Sequence, residues 1–183
     1  MIRLRAFEDA DAERLLRWRN DPEVSRWMYD SQRITPDEHA RWFDRVRHDE
    51  PDHRYRVVEL DGVASGTSNL TQIDPTRRSC TWGGYIAPAS IGRGIGRAAL
   101  GLALVDAFEA LALNRVWIEV LSDNDRALHL YESMGFTREV LLRQLVWRDE
   151  RPADVVGLSM LQSEWQELRA GVLDGVASVG ELA

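Results

Sequence analysis

Three glycines at alternate positions, Gly92, Gly94 and Gly96, lie between Ile91 and Arg97 and lead straight into the apolar stretch Ala98–Val105. Glycine leaves its amides without side-chain cover, and the first turn of a helix carries unpaired N–H groups with a partial positive charge. Together they make a cradle for an anion such as a phosphate, and Arg93 and Arg97 add cationic side chains beside it. A strand-to-helix turn that needs glycine for steric reasons alone reads the same way. Two other phosphate motifs do not fit. The pattern GxxxxGK[ST] is absent, and GxGxxG would need glycine where Arg97 stands, after the first strand of a βαβ unit rather than in mid-chain. Farther on, Asn124 opens a helix carrying Tyr131, and Glu119 lies on the apolar strand before it. An amide at that position caps a helix.

The elements that must hold these residues can be read in order. Ile2–Phe7 alternates apolar and charged residues as a strand does, and Asp9–Arg19 follows as a helix. Asn20-Asp21-Pro22 interrupts it, and Pro22–Met28 resumes as a short helix before a polar loop. Thr35-Pro36-Asp37-Glu38 is a capping box with proline at the first helical position, starting a helix to about Arg47 that buries His39, Trp42, Phe43 and Val46. Tyr55–Leu60, a turn at Asp61-Gly62, Val63–Thr71 and Ser79–Ile86 form a strand meander. The apolar helix then runs to about Leu113 with Asn114 as its C-cap. Arg115–Leu121 is a β-branched strand expected to lie parallel to Ser79–Ile86. Ser122-Asp123-Asn124 caps a helix to about Met134, and Glu139–Trp147 and Asp154–Leu161 are the last strands. The order is β-α-α-β-β-β-α-β-α-β-β, an α/β chain with a mixed sheet and helices on both faces. Residues 1–161 form one domain; 162–183 is a C-terminal extension, with Gly171–Ala183 expected as a mobile tail.

Composition narrows the function classes. A chain of 183 residues, 44% hydrophobic, can bury one substantial core. No segment is long and apolar enough to span a membrane, and Met1–Arg5 starts no signal peptide. The single cysteine, Cys80, excludes an internal disulfide and suits a reducing cytoplasm. The net charge of −7 argues against nucleic acid as a partner. His39, His48, His53 and His129 lack a ligand spacing, so no metal is expected.

The element order, the loop Ile91–Gly96 and the stretch Asn124-Asp125-Arg126-Ala127-Leu128-His129-Leu130-Tyr131-Glu132-Ser133-Met134-Gly135-Phe136 together resemble the GNAT family of acyl-CoA-dependent N-acyltransferases. The resemblance covers roughly Ile2–Leu161. Ile91 stands where the family's loop commonly opens with Gln or Arg, which costs a side-chain contact and leaves the amides in place.

That resemblance implies a fold and a mechanism. Acetyl-CoA would lie in a V-shaped opening between the parallel strands, with backbone groups of Tyr85, Ile86 and Ala87 along its pantetheine arm. The amides of Gly92, Arg93, Gly94, Ile95, Gly96 and Arg97 would hold the pyrophosphate. A backbone N–H near Ile86 would stabilise the oxyanion. Tyr131 would protonate the leaving thiolate; the alternative is a tyrosine packed under the sheet. Asn124 would hold the pantetheine or simply cap its helix, and Arg126 would reach a phosphate. The amine attacks directly, so Cys80 reads as a core residue. For removal of the amine's proton, Glu119, as a partly buried carboxylate, competes with Ser79 and Asn69 acting through water; Asp74 and Asp123 read as turn residues.

Acceptor choice would lie in the first helices and their loop. Arg17–Tyr29, with Glu38-His39, Trp42, Arg78-Ser79-Cys80 and Trp82-Gly83-Gly84-Tyr85, resembles acetyltransferases of nucleotide-linked 4-amino sugars, known from pseudaminic-acid synthesis. Met28 and Tyr29 would then contact the acceptor, while Trp18, Trp27 and Trp42 pack helices on the sheet. A nucleotide-linked amino sugar is thus the first expectation. Enzymes acetylating ribosomal-protein or other N-termini, and enzymes acetylating polyamines or aminoglycosides, are the alternatives. Outside catalysis stands an acyl-CoA-binding sensor without turnover. The apolar strand Val140–Val146 would suit pairing into a homodimer.

Overall fold

The computed structural model describes residues 1–179. A sheet of seven strands is ordered β1-β2-β3-β4-β5-β7-β6, with β1 Ile2–Ala6, β2 Arg54–Leu60, β3 Val63–Asp74, β4 Ser79–Ile86, β5 Arg115–Leu121, β6 Thr137–Arg148 and β7 Arg151–Leu161. Only β4 and β5 run parallel; every other neighbouring pair is antiparallel. The mixed sheet expected from the sequence is the one observed.

Helices cover both faces. On one side α1 Ala12–Arg19, the short α2 Pro22–Ser25 and α3 Pro36–Val46 follow β1. Thr35 caps α3 by accepting from the Glu38 amide, and Glu38 reaches back to the Thr35 amide, so the capping box forms as read. Phe7, Leu15, Phe43, Val46 and Val57 make the core there, with Phe7 stacked on Phe43 at 5.7 Å. The other face carries α4 Ile95–Val105, α5 Asp125–Ser133 and α6 Gln162–Val179. Val116, Ile118, Leu158 and Met160 of the sheet meet Leu100, Leu104, Leu128 and Trp165 there, all almost wholly buried.

Three expectations change. The apolar helix ends at Val105 and passes through one wide π-helical turn, Asp106–Ala110, so Asn114 is not its cap. Asn114 joins strands instead: its amide donates to the Arg78 carbonyl at 2.6 Å and its carbonyl accepts from the Gln162 amide at 2.9 Å. The third change concerns the C-terminal segment, expected as an extension ending in a mobile tail. Through Val179 it is helix α6, and it belongs to the same core as residues 1–161. Trp165, Val172, Val176 and Val179 recur at helical spacing, and Gly171 and Gly175 between them obscure the pattern. A Cβ on Gly101 of α4 would stand 2.9 Å from Val176 and 3.0 Å from Val172, so the absence of a side chain lets α6 press onto α4. Burying each of these valines contributes roughly 1.5–3 kcal/mol. The rest of the expected tail, 180–183, lies outside the described residues.

The feature that matters for function is where β4 and β5 part. Their pairing covers only Ser79–Thr81 against Arg115–Trp117. Beyond it the strands splay, and the sheet opens into a V.

Candidate active site

A cavity of about 850 Å³ occupies the V, between Trp82–Ile86 of β4 and Ile118–Leu121 of β5. One edge of β4 is free along it. The Ala87 amide donates to the Ser65 carbonyl at 2.8 Å, which makes that position a hydrogen-bonded pair with β3. Antiparallel pairs alternate, so the backbone N–H and C=O of Ile86, Gly84 and Trp82 turn away from β3 and into the V. Tyr85 and Ala87 spend theirs on β3. This corrects the expectation that three consecutive residues offer backbone groups to the cleft: Ile86 does so, Tyr85 contributes only its side chain to the wall, and Ala87 is buried outside it.

The far end of the V meets the N-terminus of α4. Gly94 is its N-cap, at φ 73° and with no side-chain cap, and the first intrahelical bond runs from the Ala98 amide to the Gly94 carbonyl at 3.2 Å. The amides of Ile95, Gly96 and Arg97 precede that bond and border the cavity with Gly92 and Gly94. Arg97 lines it as well, but its guanidinium is engaged by the carbonyl and hydroxyl of Ser133 at the end of α5. Arg93 is exposed and does not line the cavity, which removes its side chain from the cradle read in the sequence.

Helix α5 supplies the opposite wall. Asn124 accepts from the Ala127 amide at 3.2 Å, so it caps the helix while also bordering the cavity, and the exposed Arg126 stands at the rim. Tyr131, one turn and a half further, is only 9% exposed. Its ring sits edge-on to Trp82 at 5.9 Å and is flanked by Phe136 at 6.2 Å, while Trp82 is itself fixed by an indole bond to Ser68 at 2.9 Å. The Tyr131 hydroxyl has no hydrogen-bond partner among the described residues, and the residue borders the cavity. Burial holds this phenol above its usual range, so it keeps its proton at neutral and mildly basic pH.

At the mouth of the V, Glu119 of β5 meets the loop between α2 and α3. The Tyr29 hydroxyl donates to one Glu119 oxygen at 2.7 Å, and the Trp117 indole donates to the other at 3.1 Å. Burial first, and then Glu119, push the Tyr29 phenol above its usual value, so it remains a donor. Glu119 is exposed at the mouth rather than partly buried, because side chains alternate along β5 and its neighbours Ile118 and Val120 are the ones turned into the core. Met28 borders the same space. Ser79 does not: it pairs with Arg115 at the closed end of the V and lines a separate surface cleft, which removes it as a proton relay. Asn69 accepts from the Arg56 amide at 3.4 Å and is likewise absent from the cavity wall. Cys80 is buried, and burial pushes its thiol up to about 12, as befits a core residue.

Several contributors were not singled out in the sequence. Trp117 holds Glu119, and Glu23 borders the mouth while pairing with Arg26 at 2.7 Å. Arg148 and Asp149, at the β6–β7 turn, anchor the Met28–Tyr29 loop: Arg148 donates to the Arg26 carbonyl at 2.7 Å, and Ser31 donates to Asp149 at 3.0 Å. The sequence marks that turn only as polar; nothing local says that it touches residues more than a hundred positions earlier. Among the described residues no group of His, Cys, Asp or Glu side chains is placed to hold a metal, and no helix is long and apolar enough to cross a membrane.

Comparison with known proteins settles the family. The model described as Acetyltransferase (GNAT) domain matches residues 2–137. The chain belongs to the GNAT acetyltransferases. It is an acetyl-CoA-dependent N-acetyltransferase. Spermidine N(1)-acetyltransferase of Vibrio cholerae is 27% identical over 90% of this chain and 95% of its own. A crystal structure of spermidine N-acetyltransferase from that species, in complex with CoA and spermine, matches with a TM-score of 0.84 at 28% identity, covering 90% of this chain and 98% of the other. Acetyltransferase PseH of Campylobacter jejuni is 31% identical over 75% of this chain and 85% of its own. The putative ribosomal N-acetyltransferase YdaF of Bacillus subtilis is 28% identical over 90% and 93%.

Proposed function

We propose that this GNAT chain acetylates a primary amine of a small cationic molecule of the polyamine class, with spermidine as the reference acceptor. The observation that carries the reading is the Glu119 carboxylate at the acceptor mouth, exposed to the cleft and held by the Tyr29 hydroxyl and the Trp117 indole. A carboxylate attracts an alkylammonium by charge and by charge-assisted hydrogen bonding. The similarity to spermidine acetyltransferases over 90% of the chain supports the same acceptor class.

The cleft's own residues divide the work. The free edge of β4 at Gly84 and Ile86 would take the pantetheine arm of acetyl-CoA as a neighbouring strand would. The amides from Gly92 to Arg97 would take the pyrophosphate at the positive end of α4, with Arg126 at the rim for a further phosphate. The Ile86 N–H, turned into the V, would stabilise the oxyanion formed when the amine attacks the thioester carbonyl. Glu119 would take the ammonium's proton, and the Tyr131 hydroxyl, without a partner among the described residues, would donate to the departing thiolate. Met28 and Tyr29 would line the acceptor's path.

A second reading, a nucleotide-linked amino sugar, rests on the 31% identity to PseH and on Met28 and Tyr29 both bordering the cavity. One panel separates the two. CoA release from acetyl-CoA is followed with spermidine, spermine, putrescine, UDP- and dTDP-linked 4-amino sugars and an alanine-starting peptide. Polyamine acetylation predicts that spermidine or spermine gives the highest kcat/KM. A nucleotide sugar outrunning both polyamines by about tenfold, roughly 1.4 kcal/mol of transition-state preference, would replace it. Thermal stabilisation by acetyl-CoA without CoA release from any amine would point to a sensor instead.

A further inference from the structure

We infer that Tyr29 is the positioning residue for the proton-accepting carboxylate: its hydroxyl, delivered from the α2–α3 loop, fixes Glu119 in the rotamer that faces the amine. The inference rests on the reading above in which Glu119 takes the proton.

An exposed glutamate on a strand samples several rotamers, and a base must stand within hydrogen-bond reach of the proton it removes. Here both carboxylate oxygens are tied. Trp117, two residues earlier on the same face of β5, donates to one oxygen at 3.1 Å, and Tyr29 donates to the other at 2.7 Å across 90 residues of sequence. Each oxygen has two lone pairs, so one acceptor site on each stays free for the incoming ammonium. Donation from a neutral phenol to a carboxylate is charge-assisted, which strengthens the hold on the Glu119 rotamer.

The phenol is held in place on both sides of its loop. Before it, the Arg26 carbonyl accepts from Arg148 at 2.7 Å. After it, the Asp30 carbonyl accepts from Arg19 at 2.5 Å, and Ser31 donates to Asp149 at 3.0 Å. Trp27, next but one to Tyr29, packs against the small apolar cluster of Leu121, Val146 and Val155, which ties the loop to β5, β6 and β7 at once. The loop therefore bridges from α1 to the β6–β7 turn across the mouth of the V, with Tyr29 at its middle pointing at Glu119. A loop serving only to cover the sheet would not need a hydroxyl at that point.

The experiment is a double-mutant cycle on the full chain, Tyr29→Phe, Glu119→Gln and both together, with spermidine or whichever panel amine the wild type acetylates best. Tyr29→Phe is expected to lower kcat about tenfold, the scale of one hydrogen bond to a charged group, with KM for acetyl-CoA and acceptor within about twofold. Glu119→Gln is expected to lower it about a hundredfold. In the Glu119→Gln background the tyrosine change should lower kcat by less than about twofold, since its effect travels through the carboxylate. A full additional tenfold loss in that background, or a loss confined to the acceptor's KM, would overturn the positioning role while leaving Glu119 as base. Full activity of Glu119→Gln would sink the base assignment and the positioning role with it. Failure of spermidine alone would touch only the acceptor class.

Discussion

Tyr131→Phe separates chemistry from packing more cleanly than any other substitution in this cleft. The hydroxyl removed has no hydrogen-bond partner among the described residues, so its loss leaves no orphaned donor or acceptor. The ring keeps its edge-on contact with Trp82 and its place beside Phe136. The expected stability change is below about 1 kcal/mol, which for a chain of this size moves Tm by less than about 4 °C. Turnover should behave differently. A donor placed at a developing thiolate contributes about a hundredfold, or about 2.7 kcal/mol at 1.36 kcal/mol per decade. Because burial raises the Tyr131 phenol, the wild type keeps the proton on it well past neutrality, and the wild-type-to-variant ratio of kcat should stay constant from about pH 7 to 9. The assay is CoA release at saturating acetyl-CoA and acceptor, beside thermal melts of both proteins. A variant with wild-type kcat would refute the role. A Tm loss of ten degrees or so would show instead that the hydroxyl holds the fold.

Three further outcomes follow from the geometry. Gly94→Ala places a side chain at φ 73° with its Cβ 3.3 Å from Val179, so it should cost about 1–2 kcal/mol and weaken acetyl-CoA binding measured by calorimetry. Asn124→Ala removes the cap of α5 and should lower stability by about 1 kcal/mol in denaturant unfolding; no change would mean the cap is idle. Glu139 is held down to about 2 by the Arg115 guanidinium first and the Ser159 hydroxyl second. A depressed carboxylate stabilises above its ordinary value, near 4.3, and that stabilisation is lost as pH falls towards 2. Wild type should therefore melt above Glu139→Gln at neutral pH, and the gap should close in acid; a gap independent of pH would remove the ion pair from the account.

How much of this was legible beforehand divides along a physical line. Gly92, Gly94 and Gly96 announced the start of α4 because a close, uncovered backbone needs glycine, and the Thr35–Glu38 box announced α3 because its hydrogen bonds are local. The N-cap Asn124 was readable for the same reason. Ser79 misled because a strand position gives no hint of which end of the V is open; that depends on where the β4–β5 pairing stops, at Thr81 and Trp117. Helix α6 was misjudged because its glycines weaken local propensity, while the partner that accepts it, Gly101, sits in another helix.

The cleft's two ends were unequally visible for a related reason. The end that takes acetyl-CoA is made of backbone: a free strand edge at Gly84 and Ile86 and the amides of a helix start. Backbone sites depend on few side chains, so their sequence trace is glycine and little else, and many acceptor specificities can share it. The acceptor end is made of side chains brought from Tyr29, Trp117, Glu119 and the Arg148–Asp149 turn, none near the others in sequence except Trp117 and Glu119. No local pattern can encode that meeting; only the sheet order, which sets β7 beside β5 and β6 at the edge, brings the turn under the loop. It follows that changes at Tyr29, Arg148 or Asp149 should lower turnover while leaving acetyl-CoA affinity alone, and that changes around Gly94 should weaken acetyl-CoA binding in the first place.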